Sequence, residues 1–299
     1  MSLDEQALMR SQVGGVVTDR EVVEVAGPDA ASFLHGQVSQ DTNALGDGDS
    51  AWTFVLQPDG KVAVWGRVTR LASDRFVFDV DADAGEALVA RLARFKLRVD
   101  ATITTLDWKV VALRGPGSGA VDHGDAEIVA DAGWPGVDGI DLLGPALGVP
   151  DGVPACSLDA YEALRIEAGV PAMGRELTDR TIPAEAGVVE RSVSFTKGCF
   201  TGQELVARID SRGGNVPRHL RGLVLSSGAD RPPVDAEVVI DDKVVGTVTS
   251  AADSLVCGAP IALAYVGRAV EPPAAVTLRW DGREVDAEVR SLPLVPLAG

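Results

Sequence analysis

The chain is short of cysteine, histidine and long apolar runs, and each shortage removes a class of function. Its three cysteines, at positions 156, 199 and 257, are odd in number and far apart, which argues against a disulfide framework and fits a reducing, cytoplasmic setting. No C-x-x-C occurs, and His35, His123 and His219 are scattered, so no metal site is encoded by the chain alone. No apolar run approaches the ~18 residues that cross a bilayer, so no membrane partner is expected. The opening Met1-Ser2-Leu3-Asp4-Glu5 has no basic stretch ahead of an apolar one, and it is acidic where a mitochondrial presequence would be Arg-rich. No targeting segment is expected there. Positive charge is scarce too: 27 Lys and Arg stand against 44 Asp and Glu, for a net −17. Phosphate backbones repel such a surface, so direct nucleic-acid binding is not expected. There is no internal repeat and no low-complexity segment.

What is present suits a folded protein of two or three domains: 299 residues, 46% hydrophobic and 24% charged. Gly27 as N-cap and Pro28 at the first helical position predict a short helix over Ala30–Gln37. Alternation predicts strands at 51–55, 62–71 and 75–80, then a helix over 84–95 behind Asp83, then strands at 102–106 and 109–113. Residues 115–153 are rich in Gly, Pro and Asp and read as turns and short strands. Ser157 caps a helix that carries Leu158, Tyr161, Leu164 and Ala168 on one side and stops at Gly169 and Pro171. After Arg221 six short strands follow, at 221–225, 236–240, 244–250, 261–266, 276–280 and 284–290. Their turns, Asp241-Asp242-Lys243 and Asp281-Gly282, have hairpin chemistry, which predicts a small antiparallel barrel as a separate carboxy-terminal domain.

The most informative stretch is Lys197-Gly198-Cys199-Phe200-Thr201-Gly202-Gln203-Glu204. Thr201 and Glu204 form a T-x-x-E capping box, so a helix should begin near Gly202. Its free N–H groups, together with Lys197, favour a thiolate at Cys199 and a thiol pKa below the free value of ~8.5. The alternative is a small packed cysteine at a turn whose glycines, Gly198 and Gly202, serve the backbone. Downstream, Arg208, Arg212, Arg218, His219 and Arg221 crowd together, either as a patch for a small anion or as solvated side chains paired with nearby carboxylates.

This octapeptide resembles the signature of the folate-binding YgfZ proteins, relatives of the glycine-cleavage T-protein (aminomethyltransferase) and counterparts of an iron–sulfur assembly factor. The likeness extends to the run from Gly27 to Gln37 with Asp41, to Arg165-Ile166-Glu167-Ala168-Gly169-Val170-Pro171 with Ile182-Pro183, and to Val206-Ala207-Arg208, spanning about residues 20 to 270. It implies an α+β fold of three domains around a central channel. The first two α+β domains are interleaved, one from 1–50 and 115–220 and one from 51–114, and the barrel occupies 221–299.

The resemblance implies tetrahydrofolate as cofactor, with Glu167 binding the pterin ring and Gln203 and Arg208 assisting. A carboxylate that accepts two pterin N–H groups suits that task. Without the resemblance, Glu167 reads as a salt-bridge partner of Arg165 or Arg175, Glu204 as a cap, and Arg208 as its i,i+4 ion-pair partner. Phe200 reads as core, with stacking on a pterin as the alternative. Cys199, supported by Lys197, would be the reactive group. One departure matters. Aminomethyltransferases carry an essential aspartate shortly after the turn represented here by Pro58-Asp59-Gly60, and this chain has Val64-Trp65 there. The expected function is therefore a folate-dependent accessory factor for iron–sulfur cluster assembly or repair, with iron–sulfur proteins or assembly factors as partners and tRNA modification affected indirectly. Two alternatives remain: an aminomethyltransferase of glycine cleavage, and a folate-binding scaffold without chemistry. Whether the chain is an enzyme stays open at this level.

Overall fold

A computed structural model describes residues 2–296. Two antiparallel sheets and a barrel organise them. The five-stranded sheet runs in the order Ser50–Leu56, Val62–Ala72, Arg75–Val80, Glu21–Ala26, Thr102–Leu106. Successive side chains of a strand point to opposite faces. Val23, Val25, Phe76 and Phe78 consequently meet the helices Ala30–Gln37 and Gly85–Ala93 through Leu34, Leu88 and Leu92. Val22 and Val77, on the other face, meet Val110, Ile128 and Leu143 of the second sheet. Phe78 is 1% exposed, and truncating so buried a ring to alanine costs about 3–5 kcal/mol.

The second sheet has four strands in the order Gly14–Thr18, Lys109–Arg114, Gly139–Gly144, Ile128–Asp131. The helix Leu158–Ala168 follows. Ser157 accepts from the Ala160 N–H at its start, and Gly169 ends it at φ 69°, a left-handed conformation that glycine adopts without strain. The carboxy-terminal strands close into a six-stranded antiparallel barrel, in which Arg218–Leu225 pairs with both Ala259–Gly267 and Arg283–Arg290. Asp241 and Asp242, and Asp281 and Gly282, all have positive φ, as the two central residues of type I′ hairpin turns require. The mixed α+β architecture ending in an antiparallel barrel is the one expected.

Three details differ. Residues 21–37, assigned above to the first domain, pair with and pack on the five-stranded sheet. The reason is register: Glu21–Ala26 fits between Arg75–Val80 and Thr102–Leu106, a pairing that local pattern does not encode. The Ala30–Gln37 helix takes Asp29, not Gly27, as N-cap. A helix over Ser2–Ser11 was not anticipated, and its Arg10 reaches into the interior.

Candidate functional site

A cavity of about 290 Å³ opens where the two sheets and the Leu158–Ala168 helix meet. Trp52 and Trp65 wall one side as a stacked pair, 4.2 Å between centroids and 16° apart in plane. The Trp65 indole N–H is anchored to Ser192 Oγ at 2.9 Å, whereas the buried Trp52 Nε1 has no hydrogen-bond partner among the described residues. Asp81, Tyr161, Glu162, Arg165 and Arg175 supply the polar lining.

Beneath these groups lies a chain of alternating charges. Arg20 binds Asp79 at 2.8 Å and also pairs with Asp81. Arg67 joins Asp79 to Asp141 at 2.9 and 3.0 Å, and Arg114 reaches Asp141 at 2.9 Å. Burial opposes ionisation of Asp141, but Arg114, Arg67 and Arg20 outweigh it and hold the carboxyl below its ordinary range. Burial likewise pushes the Tyr161 hydroxyl up to about 12, so it stays a neutral donor at working pH. On the opposite side, burial works against the Glu162 carboxylate, yet Arg165 and Arg175 keep it ionised to lower pH than usual.

Asp81 is the most informative of these groups. Gly66 pairs with Val80, the last residue of its strand, and Asp81 follows directly, lining the cavity together with Trp65. One of its oxygens takes the Arg20 guanidinium, and the other accepts the Met173 N–H at 2.8 Å. Its side chain remains 23% exposed toward the cavity.

The residues singled out from sequence lie elsewhere. Cys199 is exposed and is not among the residues lining the cavity. Lys197 Nζ donates to the carbonyls of His35, Val38 and Gln40 at 2.6, 2.8 and 3.0 Å, tying down the end of the Ala30–Gln37 helix. Burial lowers its pKa to about 8, with Asp41 partly opposing. The helix begins at Gln203, but the Thr201–Glu204 capping box does not form, because Gly202 is the N-cap at φ 82°. A Cβ at Gly202 would lie 2.6 Å from the Gln57 carbonyl oxygen, so close backbone approach dictates glycine there. Gln203 Oε1 accepts the Phe200 N–H at 3.1 Å rather than facing a ligand, and Gly198 sits in the exposed turn beside His35. Phe200 packs partly against the core, as expected. Glu204 and Arg208 are exposed, and no ion pair joins them among the described residues. The arginine cluster is dispersed as well: Arg218 pairs with Glu185 at 3.1 Å, and Arg212 is exposed.

Glu167 is 0% exposed, bound by Arg10 and accepting the Ser254 hydroxyl, so its carboxylate is sealed between the first helix and the barrel and does not line the cavity. Among the described residues it does not pair with Arg165 or Arg175. Arg165 instead binds Glu176 and Glu162, both at 3.1 Å. Sequence reading also missed Trp52, Asp81 and Arg20. The only local sign was the Asp79-Val80-Asp81 alternation ending a strand, which puts both carboxylates on one face.

A model of the GCVT N-terminal domain matches residues 2–123, and one of the glycine cleavage T-protein C-terminal barrel domain matches 218–296. The chain is 28% identical to the aminomethyltransferase of Streptomyces avermitilis, over 97% of this chain and 88% of the relative. It is 29% identical to that of Corynebacterium aurimucosum, over 90% and 83%. The crystal structure of the glycine cleavage system aminomethyltransferase T from Bartonella henselae superposes with a TM-score of 0.83 at 23% identity, covering 99% of this chain and 90% of that one, a likeness of fold. These relatives overturn the iron–sulfur reading drawn from the octapeptide: chains similar over nearly the full length are aminomethyltransferases. Among the described residues no helix is long and apolar enough to cross a membrane.

Proposed function

Because the chain belongs to the glycine-cleavage T-protein superfamily, we propose that it transfers a one-carbon unit from an aminomethyl-lipoyl carrier to tetrahydrofolate in the central cavity. The position of Asp81 carries this reading. The essential aspartate of aminomethyltransferases is expected at Val64-Trp65, and both residues are apolar and 1% exposed here. Asp81, one residue past the end of the neighbouring strand, offers a carboxylate to the same cavity that Trp65 lines.

The residues present fit a reduced pterin. The Trp52–Trp65 pair gives a flat wall, and Asp81 and Glu162 accept N–H groups. At about 290 Å³ the cavity is close to the lower end of small-ligand sites, enough for the ring with the tail at the mouth. Tetrahydrofolate, when bound, supplies the two amines that receive the methylene carbon as its bonds to sulfur and nitrogen break, their protons ending on the lipoyl thiol and on ammonia. Asp81 would hold the proton in transit, with Arg20 and the Met173 N–H fixing its orientation. Arg175, half exposed at the mouth, offers a cation to an anionic tail.

The test is formation of ammonia and methylene-tetrahydrofolate from an aminomethyl-lipoyl donor. Asp81→Asn should lower turnover about 10²–10⁴-fold while folate binding persists. A wild-type chain that binds folate but releases no ammonia above the uncatalysed rate would remove the transferase reading.

A further inference from the structure

A second cleft, of about 380 Å³, lies between the first domain and the barrel, away from the carboxylates of the central cavity. Arg191 enters it from the short helix Val189–Ser192, and Arg221 from the barrel strand Arg218–Leu225. The returning tail closes one side: a Cβ at Gly169 would meet Leu292 Cβ at 2.7 Å.

Glu190 also lines the cleft, but among the described residues neither guanidinium forms an ion pair. Arg191 donates to the Gly133 carbonyl at 2.9 Å and packs on the tryptophan pair, 5.1 Å from the Trp65 centroid and 5.7 Å from that of Trp52. Burial alone lowers its pKa to about 10. The Nε of Arg221 is buried without a hydrogen-bond partner among the described residues. Among the described residues no carboxylate lies within 4.0 Å of either, although Arg218, three positions before Arg221, has its own partner in Glu185. Acidic side chains outnumber basic ones 44 to 27 in this chain, so two half-buried, unpaired arginines in one cleft are not explained by a shortage of anions. Leaving a partly desolvated cation unpaired is costly, and an unsatisfied buried donor calls for an explanation.

We propose that this cleft is a second binding site, for an oxyanion (carboxylate or phosphate) held by Arg191 and Arg221. Planar guanidinium forks bind such groups bidentately. Ala168, Val188 and Leu220 on the same walls select a ligand with a small apolar body behind its charged head. An anion here bridges the first domain and the barrel. Because Arg191 also rests on Trp52 and Trp65, occupancy is read directly in tryptophan emission. The site stands independently of the one-carbon reading.

Two titrations test it, one with inorganic phosphate and one with glutarate, each at constant ionic strength maintained with sodium chloride and followed by tryptophan fluorescence and calorimetry. A saturable response to at least one anion is expected, weakened at least tenfold in both Arg191→Gln and Arg221→Gln. Response to phosphate alone assigns a phosphate head, and response to glutarate alone a carboxylate. Each substitution removes an unpaired cation, so both variants should fold, which melting temperatures check; Arg221→Gln decides alone if the other does not. No saturation by either anion up to about 50 mM, or unchanged binding in the variants, overturns the proposal.

Discussion

The ammonium of Lys197 donates to the carbonyl oxygen of His35 at 2.6 Å, at the end of the Ala30–Gln37 helix. With its bond to the Val38 carbonyl it serves groups that a helix end leaves without intrahelical partners, and its bond to the Gln40 carbonyl holds the segment that follows. Lys197→Met should cost about 2 kcal/mol of unfolding free energy, in line with hydrogen bonds to a charged group. The pH dependence has a definite sign. The folded pKa is about 8 and the unfolded one about 10.4. Between these values the unfolded chain binds more protons, so stability rises with pH across that window. Urea unfolding at pH 7.5 to 10.5 should show wild type gaining on Lys197→Met; a parallel pair of curves would mean the ammonium is not desolvated.

Cys199 lies in the same signature but is exposed and does not line the cavity. Cys199→Ala should therefore leave aminomethyl transfer within about twofold of wild type and change stability by less than about 0.5 kcal/mol, as surface substitutions do. A loss of turnover would return the thiol to the chemistry.

How far the sequence could be read depended on how local the determining interactions are. The barrel was legible because each hairpin carries its own turn residues, as Asp281-Gly282 does, and the Leu158–Ala168 helix because Ser157 and Gly169 mark both ends. The octapeptide was legible as a motif but not as a function, since Lys197 and Gly202 serve backbone groups near residues 35–40 and 57. The cavity was not legible. Arg20, Arg67, Arg114, Asp79, Asp81 and Asp141 meet only through sheet register and packing between domains, and no spacing in the chain announces that meeting. The partner of Glu167 was illegible for the same reason, because Arg10 is 157 positions away.

That pair yields its own prediction. Glu167→Gln leaves the Arg10 guanidinium facing a neutral amide in a buried setting, so stability should fall by about 3 kcal/mol. The carboxylate does not line the cavity, so folate affinity, followed by quenching of tryptophan emission, should stay within twofold of wild type. A selective loss of folate binding with unchanged stability would restore the ligand role.

Asp141 governs acid stability. It is 4% exposed and shared by Arg67 and Arg114, at 3.0 and 2.9 Å, so its ionised form is built into the contact between the two sheets. Its folded pKa is depressed, because the surrounding guanidiniums outweigh the burial that would raise it. The stabilisation is complete above the unfolded value of about 3.9 and is lost as pH falls through the lower folded value. Wild type should thus lose stability steeply below about pH 4. Asp141→Asn leaves two buried cations with a neutral partner, which should cost about 3–5 kcal/mol near neutrality. The variant should also show a shallower acid limb, having no carboxyl there to protonate. Unfolding free energies from pH 3 to 7, measured for both proteins, decide the matter: equal slopes below pH 4 would show that the acid sensitivity of the fold resides in other carboxylates.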